Sequence, residues 1–133
     1  METKFNFNSQ VCTSRSQSER LLTLGLKKET ADMHYALVKQ AGYPEWDYFL
    51  MPSPITNDTF ESIPAWSLHR LLELSPKSVD QEIPYFTKDG NVELVNSDGI
   101  VTKAFGGENL YDALLDFFYW LINEGSFNKE YLV

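Results

Sequence analysis

The chain is poor in the residues that build covalent or metal-held scaffolds. Cys12 is its only cysteine among 133 residues, which rules out an intrachain disulfide and a thiolate metal cluster within one chain. Histidine is almost as scarce, with His34 and His69 the only two. No run approaches the ~18 apolar residues of a membrane span, and "METKFNFNSQVC" has no apolar core of a signal peptide. These absences make a cytoplasmic setting the expectation, with no membrane association. Six prolines and seven glycines are dispersed, leaving no low-complexity tract and no repeat.

Charge of one sign is also in short supply beyond the first third. Residues 1–40 carry six Lys/Arg against four Asp/Glu, whereas residues 41–133 carry five against fifteen, for a net charge of −8. An acidic body repels phosphates, so nucleic acid is an unfavourable partner. A protein partner, a basic one above all, or self-association is expected instead. Hydrophobic content of 43% and charged content of 23% are those of an ordinary folded domain. We expect an N-terminal arm over 1–12, forming an edge strand or fraying, and a single globular domain over 13–133.

Helix signals frame that domain. In "TSRSQSERLLTLGL", Ser14 and Gln17 have capping-box spacing, Leu21, Leu22 and Leu24 supply a stripe, and Gly25 suits a left-handed stop. "KKETADMHYALV" reads as a short helix capped by Thr30, with Met33, Ala36 and Leu37 inward. "YPEWDYFLMPSPITND" favours extended chain through Trp46, Tyr48, Phe49 and Leu50, stopped by Pro52 and Pro54. "SIPAWSLHRLLEL" reads as a helix with Pro64 in its first turn.

From Ile83 the period shortens to two. Asp89-Gly90 and Asp98-Gly99 separate apolar-rich runs, which predicts a three-stranded meander with two-residue hairpin turns. "ENLYDALLDFFYWLINEG" then makes a long helix, capped by Asn109 and stopped by Gly125. The expected fold is α+β: a three-stranded antiparallel meander packed with three or four helices, the C-terminal helix central.

That last helix poses the main physical problem. Phe117 to Ile122 are six consecutive apolar residues, and at about 100° per residue they leave no polar face. Four aromatics burying about 150–250 Å² each, at ~25 cal/mol per Å², outweigh the roughly 5–15 kcal/mol by which a domain is stable. The helix must be covered. Either the meander and neighbouring helices surround it, with Leu110, Leu114 and Leu121 facing the sheet and Asp112, Asp116 and Glu124 marking the wet side, or Phe118 or Trp120 emerges on a patch closed by a partner.

No catalytic constellation stands out. His69 and Glu73 are spaced i,i+4, suited to a metal or to acid–base work, although such pairs more often decorate a surface. Cys12 beside a helix start could serve as a thiol nucleophile, although a lone cysteine there more often packs as a small apolar group. "FGGEN" lacks the lysine and glycine spacing of a phosphate loop, and no cofactor is implied. Three readings follow: an interaction module with Trp46, Phe118 and Trp120 as contact candidates; a small enzyme using His69, Glu73 or Cys12; and an acidic decoy for a nucleic-acid-binding protein.

Four blocks, "CTSRSQSERLLTLGL", "ETADM", "IPAWSLHRLLEL" and "ENLYDALLDFFYWLINEG", resemble the recurring segments of short bacterial proteins associated with phage or mobile elements. The likeness runs from Cys12 to about Gly125. It implies an accessory protein and carries no catalytic residue.

Overall fold

A computed structural model describes residues 9–39, 41–42, 44–55 and 61–133. Helix α1 (Arg15–Leu24) opens on the capping box of Ser14 and Gln17 and ends at Gly25, whose φ of 105° turns the chain. Of its leucines, Leu21 is fully buried, Leu24 packs partly against the core and Leu22 lies at the surface.

The expected helix over "KKETADMHYALV" is instead a 3-10 turn, Lys28–Thr30, followed by strand β1 (Met33–Lys39). Met33, Ala36 and Leu37 mimic a helical face, but the same segment alternates, and pairing decides between the two. Strands β2 (Trp46–Met51) and β3 (Ser62–Ala65) flank β1 in an antiparallel sheet of order β2-β1-β3, satisfying its backbone on both sides. The extended reading of Trp46 to Leu50 holds. Pro64 is not in a helix: it lies in β3, an edge strand, which tolerates a missing N–H. Helix α2 (Leu68–Leu74) starts later, with the Ser67 side chain accepting from Arg70 N.

The meander is present as β4 (Ile83–Phe86), β5 (Asn91–Val95) and β6 (Val101–Gly106), in that spatial order. Its turns differ from the expected two-residue form. Gly90 (φ 87°) and Gly99 (φ 78°) adopt positive φ, but Asp89 and Asp98 do not. Gly99 N donates to Asn96 O at 3.0 Å while Asn96 N donates to Ile100 O at 3.0 Å, a three-residue loop closed by a left-handed glycine. The Asn96 side chain accepts from Asp98 N and Ile100 N, a local bond that favours the turn.

Helix α3 (Leu110–Glu124) is capped by Asn109 and stopped by Gly125. It packs against the meander: Phe105 of β6 stands 5.3 Å from Phe117 and 5.7 Å from Trp120, centroid to centroid. On another side the chain returns after Gly125 to set Phe127 5.0 Å from Phe118. On a third, Asp112 accepts from Gln17 at 2.8 Å and Asp116 pairs with Arg20 at 2.6 Å, both on α1. Asp112 and Asp116 therefore fasten two helices together rather than marking a wholly wet side. Of the six apolar residues, Tyr119 alone is largely exposed, at 52%. Val92 and Leu94 of β5 and Leu71 and Leu74 of α2 complete the same core.

Candidate functional site

The starts of all three helices meet around Gln10–Thr13. Cys12 forms an isolated bridge with Ser67, the cap of α2. Gln10 donates to the Gln17 side chain of α1 and accepts from Asn109, the cap of α3. Thr13 N donates to Trp66 O at 2.9 Å, and Trp66 N donates to the Thr13 hydroxyl at 3.1 Å. Three positive helix ends in one place call for negative charge. Asp32, which accepts from Ser67 N and from its hydroxyl, and Asp112 in the first turn of α3 supply it. Residues 1–8 of the expected arm lie outside the described residues, but Gln10 and Cys12 are tied firmly into the domain.

Cys12 is buried in this junction. Its sulfur lies 3.4 Å from the Tyr35 hydroxyl, which gives its proton to Thr13 O at 2.8 Å. The thiol is left to donate to the phenol oxygen, an arrangement that needs it protonated. Burial pushes the Cys12 thiol above its ordinary value; the contact with Tyr35 opposes that shift and the Asp32 charge adds to it. Burial likewise raises Tyr35 and the nearby Tyr111, whose hydroxyl donates to Gln10 O. A nucleophilic cysteine needs the opposite conditions.

Of His69, Glu73 and Cys12, the groups expected to share a pocket, the first two meet each other, but the Cys12 thiol bonds to Tyr35 and to neither of them. His34 neighbours Tyr35 on β1, so it points to the other face of the sheet from Cys12, where its Nδ1 lies 2.6 Å from Ser53 O. His69 does pair with Glu73, at 3.5 Å, but the two side chains are 86% and 53% exposed. Arg70 also reaches Glu73 at 3.3 Å, making a surface cluster on α2. Among the described residues no three His, Cys, Asp or Glu side chains are placed to hold a metal ion. No described helix is long and apolar enough to cross a membrane.

The three contact candidates separate. Phe118 is fully buried and belongs to the core, so it is no docking residue in the folded chain. Trp120 is partly buried against Phe105, with the Lys103 ammonium 5.4 Å from its ring centre. Trp46 is 58% exposed on β2, at the edge of its sheet. Tyr48 and Leu50 share its face. Arg15 of α1 stacks over Tyr48 at 4.7 Å and leaves Trp46 outside that contact.

Sequence reasoning did not single out Tyr35, Tyr111 or Asp32, which approach the thiol from two segments distant from it, the start of β1 and the first turn of α3. Nothing local marks them. The alternation of β5 does separate the two faces of the meander, with Val92 and Leu94 on one and Glu93 on the other, as the burial pattern of the strand has it. No family model, curated protein or solved structure matches the chain.

Proposed function

We propose that this chain is a non-enzymatic protein-interaction module, an accessory protein of the kind carried by phage or mobile elements, which docks through edge strand β2. The observation that carries this reading is Trp46, 58% exposed on an edge strand beside the exposed Leu50. An indole joins a large apolar body to a donor N–H, which suits it to interfaces. An edge strand also offers unpaired backbone groups to an incoming chain. The dispersal of His34, His69 and Cys12 supports binding over catalysis.

Site-specific photo-crosslinking from position 46 in the native host tests the proposal. One dominant protein adduct, or a covalent dimer, is expected, and Trp46→Ala should weaken that association at least about tenfold. A chain that stays monomeric by light scattering and gives no adduct above background would overturn it.

A further inference from the structure

The second sheet has two unlike faces. Val92 and Leu94 of β5 point inward and are fully buried beneath α3. The alternate positions of β4 and β5 point away from the core, and with Ala104 and with Val101, which a register shift at Leu94/Val95 sets opposite Val95, they form two cross-strand rows. Ile83, Val95 and Val101 make the first; Tyr85, Glu93 and Ala104 make the second. Ile83, Tyr85 and Val101 are 49%, 54% and 46% exposed. Contiguous apolar surface of this extent, unlike scattered single residues, marks interaction sites.

Glu93 is the one charge in those two rows, and it occupies the middle strand. Tyr85 flanks it on β4 and the small Ala104 flanks it on β6. It is half-buried, and no cation among the described residues pairs with it. The one lysine of these three strands, Lys103, turns to the other face, 5.5 Å from the Phe105 ring centre. A carboxylate partly desolvated within apolar surface gains most from an incoming cation, because the local dielectric is low and screening by salt is weak.

The geometry points to this outer face as a docking surface for a basic protein segment, one that sets a single Arg or Lys between apolar residues so that the cation meets Glu93. The inference rests on the interaction-module reading but concerns a second surface, on the other sheet from Trp46. Charge selects the occupant. A second copy stacked here across a twofold axis would set Glu93 near its own counterpart, which like charges disfavour. A cationic partner also matches the net charge of −8. Arg is favoured over Lys, since its planar fork can bond the carboxylate bidentately while lying on Tyr85.

The test pans a displayed library of random twelve-residue peptides against the full chain. Enriched sequences are expected to carry a basic residue flanked by apolar ones. Synthetic versions should bind Glu93→Lys at least about tenfold more weakly, Glu93→Gln and Tyr85→Ala at intermediate strength, and Trp46→Ala as well as the parent. Unchanged thermal melts would certify that the variants fold. Failure to enrich, enrichment without basic residues, or binding indifferent to Glu93→Lys overturns the inference, as does a dimer that protects this face. Peptides that lose binding with Trp46→Ala yet keep it with Glu93→Lys would sink this surface while leaving the β2 proposal standing.

Discussion

The two sheets have the same strand count and antiparallel pairing, yet they are held in different ways. The β4-β5-β6 sheet is a meander of neighbours in sequence, and its inner face forms part of the main core with α3. In the β2-β1-β3 sheet the middle strand comes first in the chain, and none of its strand residues belongs to that core. This sheet is joined to the helices through polar bonds at the Cys12–Trp66 junction, where Tyr35 and Thr13 reach across. Among the described residues, one sheet lines the main apolar core, whereas the other meets the helices through these hydrogen bonds, the small buried side chains of Ala36 and Ala65, and Arg15 stacked over Tyr48. Substitutions should therefore act on them in different amounts and under different conditions.

The largest contrast lies in the aromatic cores. Phe117→Ala, which empties a fully buried site against Phe105, should cost about 3–5 kcal/mol in urea unfolding. Phe49→Ala, at a partly exposed position on β2, should cost roughly 1–2 kcal/mol, since part of the ring already meets water. Equal losses would erase the distinction between the sheets.

Within the meander, the two turn glycines sharpen it. A Cβ at Gly99 meets nothing, whereas one at Gly90 comes within 3.3 Å of the backbone of Asn109 and Leu110. Both have positive φ, so Gly99→Ala should cost about 1 kcal/mol from strain alone. Gly90→Ala should cost roughly 2 kcal/mol, because the start of α3 must also shift. Denaturation midpoints at a constant slope would show the difference, and identical midpoints would mean that the hairpin is free to move away from the helix.

The smallest effect is confined to alkaline solution and belongs to the other sheet. The folded chain holds Cys12 and Tyr35 protonated beyond the ordinary values of 9.0 and 10.0. Their contribution is fully present below the unfolded values and is lost as pH rises toward the folded ones. Stability should thus begin to fall above about pH 9, and Cys12→Ala with Tyr35→Phe should flatten that limb of the curve. An unchanged alkaline slope in the double variant would assign the loss to other groups. By the same logic Cys12 should react with a thiol reagent at pH 8 only as fast as the junction opens.

Much of the meander and its helix was legible because its signals are local. Ser14, Gln17, Gly25, Asn109 and Gly125 bond groups within a few residues, and each sits where its side chain or lack of one dictates. The apolar run of α3 likewise announced that it needed cover. The first sheet was not legible. Met33, Ala36 and Leu37 fit a helical stripe as well as an alternating strand, and the partners that settle the matter lie in distant segments. Pro64 satisfied a helix start and an edge strand equally. The same limit applied to the site: Phe118 and Trp120 lie in one apolar run, and only their neighbours in space bury the first fully and the second in part.

What the sequence determined by itself, then, is the punctuation of the chain and the demand of its greasiest helix for surroundings, since both arise from bonds and areas within a short stretch. The tertiary structure alone decided that β1 is a strand, that the helix starts gather around a protonated thiol, and that Glu93 has no cationic partner among the described residues. Those outcomes depend on which distant groups come within bonding distance, and a contact of that kind has no signature in either partner's local sequence.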